Sequence, residues 1–464
     1  MRLGIWLTLL ILALGSLSSC DSKRAVKASP KDLNILLVVI DTLGAKHLGS
    51  YNPALTHSPR IDALALKGLR FSNAFATSSW TKPTIASIFT SRMPYMHGVI
   101  GPKMKLSDKF NTIAELMSKA GFDTVGIVSH IFVAADQGFA QGFAGYHQVN
   151  DPKHVHNTIT SELVSNQAIN WLKARQATRS SRPFFMFLHY FDPHFCYQHH
   201  PDHSLTNGYA GQLKPNMSMK ALFGRRSKFS PDDWTYLTGL YHEEIAYTDA
   251  QIGRVLDYFQ TAGLEDKTLV VLTADHGEEF GEHRSLAHTR TLYDELIHIP
   301  LIFSLPGQIR QGVSQVPVSQ LDLLPTMLSL AGIDHWEQEW QGINLTPYLL
   351  ADAQVAPARD LYAEVSYVSL KNRIDPHKIS VRSGKYKAIF NIKTHRWQLF
   401  DLERDPGELN NIAKQQTVVL EKMKAKLSAL ELAHAGLKTL KPQAGGEIEV
   451  SPEEIRNLKS LGYM

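Results

Sequence analysis

The sequence predicts an α/β fold, with a large mostly parallel sheet flanked by helices and a smaller C-terminal antiparallel-sheet subdomain. Three apolar runs carry this prediction: Asn34–Ile40, Phe184–Tyr190 and Thr268–Ala274 are short, β-rich and bounded by turn residues, as strands buried on both faces are. Helical patterns such as Asn111–Ala120 and Glu243–Thr261 lie between such runs, and this alternation favours parallel strands joined by helical crossovers. Each run leads into Asp or His: Asp41, Asp192-Pro193-His194 and Asp275-His276. Sheets of this kind bind ligands beyond the carboxyl ends of their strands, so all three point to one edge.

The chain has 464 residues, 48 Lys+Arg against 44 Asp+Glu, and two cysteines, Cys20 and Cys196. Two distant cysteines exclude a disulfide scaffold and a Cys-rich zinc site. A formal net charge of +4 is too small to mark a nucleic-acid partner.

From the N-terminus, Arg2 precedes an apolar run from about Ile5 to Leu14, which is export-signal architecture and too short for a stable transmembrane helix. Leu17-Ser18-Ser19-Cys20 is similar to a bacterial lipobox, in which Cys20 becomes the lipidated first residue; a plain secretory signal is the alternative. The expected organisation is a signal over residues 1–20, a polar tether over 21–32, a catalytic domain over 33–350, and an antiparallel subdomain with terminal helices over 351–464. The lipid would hold the protein at the membrane, in the cell envelope, facing the periplasm or the cell surface. Beyond about residue 355, shorter alternating strands are expected near Leu361–Tyr367, Lys378–Arg382, Tyr386–Ile392 and Trp397–Leu402, then a helix from about Ala413 to Ala435. Ser451-Pro452-Glu453-Glu454 is a capping box that predicts a short final helix.

The densest polar cluster is Thr273–His283. An Asp-His pair on a turn at a strand end offers a carboxylate and an imidazole, a set that suits a divalent cation. Alone, such a turn is often only a loop, and the second strand ending in Asp41 changes that balance. Ser78–Ser91 reads as a helix start with Thr81 near the N-cap and Pro83 in the first turn. A hydroxyl there sits where the helix dipole favours an anion, although it also serves as an ordinary cap.

With these residues in place, the sequence resembles the sulfatase family of the alkaline phosphatase superfamily. The matching blocks come in family order: Asn34–Leu43, His57–Ala65 with Gly68–Phe71, Trp80–Ser91 with His97-Gly98, Asp192-Pro193-His194, Glu244–Gly253, Ala274–His283, His288, Tyr293–Pro300, Asp322–Thr326 and Trp397–Asn410. Leu458–Tyr463 also looks like the end of many bacterial members. The resemblance implies that Asp41, Asp275 and His276 hold one divalent metal ion and that Thr81 is both ligand and nucleophile. His194 and His288 would lie on the substrate side, steadying the anion or protonating the leaving oxygen; surface or second-sphere histidines are the alternative. Arg290 is a candidate substrate contact, though a lone loop Arg is usually solvated. His199, His200 and His203 read as a variable substrate-side loop rather than a metal site.

Several positions depart from the family pattern. The formylglycine precursor and the arginine of its motif are replaced in Thr81-Lys82-Pro83-Thr84-Ile85, and the usual Gly-Lys element is replaced at Val128-Ser129. The second Asp of the opening motif is Thr42, and Asp-Asn is Asp275-His276. The family implies calcium, whereas a His ligand favours manganese or zinc. Asp192-Pro193-His194 is too compressed for the ligand pair of two-metal relatives. The expected activity is metal-dependent hydrolysis of a sulfate or phosphate-type ester. The alternatives are a phosphodiester or phosphonate hydrolase, a phosphoethanolamine-type headgroup transferase, and a non-catalytic surface lipoprotein.

Overall fold

The computed structural model describes residues 33–149, 159–351, 359–369, 374–437, 445–448 and 455. The expected signal with Cys20, the tether and the final capping box lie outside the described residues.

Eight strands form the large sheet: β1 (Asn34–Ile40), β2 (Leu69–Phe71), β3 (Asp123–Val128), β4 (Gly145–Gln148), β5 (Phe184–Tyr190), β6 (Thr268–Ala274), β7 (Leu301–Ser304) and β8 (Gly312–Ser314). Their order across the sheet is β8-β2-β7-β6-β1-β5-β3-β4. From β6 to β4 all neighbours are parallel, and β7 runs antiparallel to both β6 and β2. The three runs that predicted the fold are the three central strands, with the bounds read from the sequence. Every residue of β1, β5 and β6 is buried. Full burial of one large aliphatic or aromatic side chain contributes about 1.5–3 kcal/mol, which makes these strands the stable floor of the site.

Four helices matter here: α1 (Thr81–Thr90), α2 (Ser161–Ala177), α3 (Pro231–Thr261) and α4 (Thr417–Leu437). The helix expected from Glu243 starts at Pro231, where Ser230 and Asp233 form a capping box with Pro in the first turn. The apolar periodicity marked only its buried C-terminal part. No described helix is long and apolar enough to cross a membrane.

A separate antiparallel sheet follows, β9 (Leu361–Val368), β10 (Ile374–Ser383), β11 (Tyr386–Asn391) and β12 (Arg396–Asp401), with α4 packed against it. This sheet is bonded to the nucleophile-side loops through Glu364 N to Thr77 O at 2.9 Å and Val368 N to Ile100 O at 2.8 Å. The Asp405–Glu408 turn adds a clamp. Glu408 accepts from Asp294 N at 2.6 Å and pairs with buried Lys387 Nζ at 2.8 Å.

Candidate active site

Strand register brings the polar residues together. Ile40 pairs with Ala274 on one side and Tyr190 on the other, and Val128 pairs with His189. Asp41, Asp275, the Phe191–His194 turn and Ser129-His130 therefore leave four adjacent parallel strands at one edge.

The backbone at this edge is tightly constrained. Thr42, Ala287 and Thr289 have φ of 56°, 67° and 76°, a region that costs non-glycine residues of order 1–3 kcal/mol each. Local hydrogen bonds hold two of them: Thr42 N donates to Asp275 Oδ1 at 3.0 Å, Tyr241 OH donates to Thr42 O at 2.7 Å, and Thr289 N donates to Ser79 O at 2.9 Å. Gln320 Nε2 binds the carbonyls of Ala274 and Asp275 at 2.8 and 2.7 Å, which fixes the end of β6. Gly277 is required by close approach, since a Cβ there would lie 2.1 Å from the Glu295 carbonyl oxygen.

Asp41, Asp275 and His276 are fully buried, and a ligand atom from each lies within 4.8 Å of the others. Both Asp41 oxygens and Asp275 Oδ2 have no hydrogen-bond partner among the described residues. Burial, followed by the Asp275 charge, raises the Asp41 carboxyl well above its ordinary range. Two neighbouring buried carboxylates with three of their four oxygens lacking a donor need a cation between them. His276 Nδ1 donates to the Gly277 carbonyl at 2.9 Å, which leaves the Nε2 lone pair facing both carboxylates, 3.8 Å from Asp41 Oδ1 and 3.5 Å from Asp275 Oδ2. Hard and borderline donors in this array fit a single divalent metal ion.

Thr81 is the first residue of α1 and its N-cap is Trp80, so its hydroxyl does not cap the helix. It lies instead 3.4 Å from His276 Nε2, beside the carboxylates. The four residues expected to act as metal ligands are thus brought together. The neighbouring Lys82 turns away, donating to Pro102 O at 2.8 Å and to Gln137 Oε1.

Three further imidazoles surround this group. The His194 ring lies 4.9 Å from that of His288, and the His288 ring 4.5 Å from that of His276. His194 Nδ1 donates to the Phe195 carbonyl at 2.7 Å, so its buried Nε2 is left unpartnered among the described residues as a lone pair. His130 has the opposite tautomer: Nδ1 accepts from Phe132 N at 2.9 Å, which puts the ring hydrogen on Nε2, 3.7 Å from Asp41 Oδ2. His288 Nδ1 lies 2.9 Å from Glu278 Oε1, and Tyr197 OH donates to Glu278 Oε2 at 3.2 Å. Burial pushes Glu278 up to about 8 and His288 down to about 3. The site thus resists carrying charge on either partner. Whether the shared hydrogen sits on Glu278 or on Nδ1 decides whether His288 Nε2 donates or accepts.

His130 and Glu278 were not singled out by sequence reasoning. Glu278 lay inside the Thr273–His283 cluster, and His130 closed the run where the Gly-Lys element was sought. Their signal was adjacency to a strand end, which the neighbouring residues also share.

Asp192 and His194 separate in role. Asp192 Oδ2 accepts from Thr160 N, Ser161 N and Ser161 Oγ at 3.0, 2.7 and 2.6 Å, satisfying the start of α2. Only His194 turns to the site. His199 and His200 bind Glu243 and Glu244 of α3 at 2.7 and 2.9 Å, which anchors their loop. Arg290 is exposed, two residues beyond His288, with its guanidinium 4.9 Å above the Phe223 ring.

Comparison with known proteins gives the family and the fold. The family model described as Sulfatase matches residues 33–333, and one described as N-sulphoglucosamine sulphohydrolase, C-terminal, matches residues 281–433. The N-acetylglucosamine-6-O-sulfatase of Bacteroides thetaiotaomicron is 24% identical, with 87% of this chain and 86% of that protein aligned. Among solved structures, a 2-O GAG sulfatase superposes with a TM-score of 0.72 at 21% identity, covering 89% of this chain and 94% of the other. The phosphonate monoester hydrolase of Silicibacter pomeroyi gives 0.69 at 20% identity, covering 88% and 96%.

Proposed function

Because the chain belongs to the sulfatase family, a family of ester hydrolases, we propose that it hydrolyses a sulfate or phosphate-type ester in a metal-dependent reaction with Thr81 as the nucleophile. The observation that carries this reading is Thr81 Oγ1 at 3.4 Å from His276 Nε2, which is itself grouped with Asp41 and Asp275. Asp41, Asp275, His276 and Thr81 would hold the cation. When bound, it supplies positive charge against the developing charge of the reaction and favours the ionised threonine oxygen. Calcium is the ion suggested by the family, and the His276 ligand also suits manganese or zinc.

Thr81 Oγ gives up its hydrogen to the His194 Nε2 lone pair and bonds to the sulfur or phosphorus as the bond to the alcohol oxygen breaks. His288 delivers a proton to that oxygen from Nε2 as Glu278 gives its own to Nδ1, and His130 Nε2–H is placed to steady the anion. Water then cleaves the Thr81 adduct, restoring the hydroxyl. With threonine at this position no formylglycine forms, a feature that favours phosphodiesters or phosphonates as an alternative substrate class. The monoester hydrolase neighbour has the same fold. The Leu17–Cys20 motif supports a lipid-anchored protein of the cell envelope, and headgroup transfer from lipid is the second reading it suggests.

The experiment is turnover of aryl sulfate, phosphodiester and phosphonate esters by protein of known metal content, with Thr81→Ala as control. Loss of every activity in Thr81→Ala supports the reading; unchanged activity refutes it.

A further inference from the structure

A group of cations gathers beside His288. Thr289 is tied to Ser79, two residues before Thr81, so the Arg290 backbone is held beside the segment that leads into Thr81. Its guanidinium lies 4.9 Å above the Phe223 ring, and the Arg226 guanidinium lies 4.8 Å from the same ring. Lys378, from β10 of the antiparallel sheet, donates from Nζ to the Arg290 carbonyl at 2.7 Å. Three separate segments therefore bring positive charges together, two of them against one aromatic ring and the third on the Arg290 backbone, within about a Debye length.

Such crowding is unfavourable unless negative charge offsets it. Among the described residues, none of these three cations has a carboxylate within 4 Å. The nearby acidic groups are engaged elsewhere: Asp375 pairs with Lys393 Nζ at 2.7 Å, and Glu279 accepts from His283 N at 3.1 Å. Phe223 orients the two guanidinium planes, and Arg226 Nη1 is further fixed by Phe223 O at 2.8 Å.

From this convergence we infer that Arg226, Arg290 and Lys378 form a subsite for a second oxyanion, a carboxylate or a sulfate-type group, carried on the alcohol part of the ester. The inference rests on the reading of the Thr81 centre as the place of reaction, because the subsite lies on the His288 side of that centre. Its substrate is thus an ester with at least two anionic groups, one reacting and one recognised.

The test uses non-hydrolysable sulfonates that differ only in the second group. Titration calorimetry with the full chain, at about 50 mM and about 500 mM NaCl, compares benzenesulfonate, 3-sulfobenzoate and benzene-1,3-disulfonate. At low salt one or both dianions bind about tenfold tighter than benzenesulfonate, the size of one charge-assisted hydrogen bond. Which of them gains distinguishes a carboxylate from a sulfate-type group. The preference shrinks in high salt and disappears in Arg226→Gln/Lys378→Gln, whose side chains are at the surface. Equal affinity for all three probes, no binding of any, or a preference that survives the double substitution would overturn the subsite. Thr81→Ala removes turnover and leaves this affinity difference in place, so the subsite and the reaction centre fail separately.

Discussion

Glu278 Oε1 lies 2.9 Å from His288 Nδ1, fully buried and held on its other oxygen by Tyr197. A carboxyl in this position fixes the ring plane and decides which hydrogen Nε2 presents to the site. Glu278→Gln keeps the shape and removes the acid. Steady-state kinetics should record a loss of about 10–100-fold in kcat/KM, with metal content unchanged. Wild-type kcat/KM would mean that the pair is only a packing contact.

Asp41 and Asp275 repel each other when no cation lies between them. Chelation should therefore lower the melting temperature, and a cation at about 100 times its Kd should add about 2.7 kcal/mol of stability. In the chelated protein, Asp41→Asn should melt above wild type because one buried charge is gone; with cation added the order should reverse. Scanning calorimetry in the two conditions measures both. An Asp41→Asn variant that still gains the full cation stabilisation would exclude Asp41 as a ligand.

Asp192 serves α2 and not the cation. Asp192→Ala leaves Thr160 N and Ser161 N without their acceptor and should cost about 1–3 kcal/mol in urea unfolding. The stoichiometry of bound metal should stay that of wild type. Loss of metal together with stability would give Asp192 a place in the site after all.

Acid should unfold the protein from near neutrality. Burial pushes His97 and His242 down to about 3, and burial holds His47 well below its usual value. In the unfolded chain these rings titrate near their ordinary value, so below about pH 6.5 the unfolded state binds more protons. Their contribution is complete above that pH and is lost as pH falls toward the folded values, by about 1.4 kcal/mol per pH unit for each ring. Urea midpoints between pH 7.5 and 5 should fall accordingly, and His97→Gln should flatten the slope. A His97→Gln variant with the wild-type slope would show that ring to be accessible.

The central strands were legible because burial on both faces leaves an uninterrupted apolar run, and their polar endings marked the edge where the site lies. Asp41, Asp275 and His194 could be read at those endings and Thr81 at a helix start, whereas His288 came with the family resemblance. The pairing of His288 with Glu278 could not, since it depends on a turn folding back over ten residues. Arg290 was a candidate substrate contact, but its company was hidden for a similar reason, since Arg226 and Lys378 come from two other segments with no shared pattern. Asp192 was legible as a polar residue at a strand end, but its partners at the start of α2 lie 31 and 32 positions away. The start of α3 was missed because Pro231–Gly239 is mostly half-buried or exposed and lacks the apolar stripe of its C-terminal half.

The account stands most directly on the covalent role of Thr81. Protein quenched during turnover of a slow ester should be digested and its Thr81 peptide weighed by mass spectrometry. The account predicts a sulfuryl or phosphoryl adduct on Thr81 that forms with turnover, decays when substrate is exhausted, and is absent in Thr81→Ala, which is inactive. An unmodified Thr81 peptide throughout turnover, together with an active Thr81→Ala variant, would contradict it.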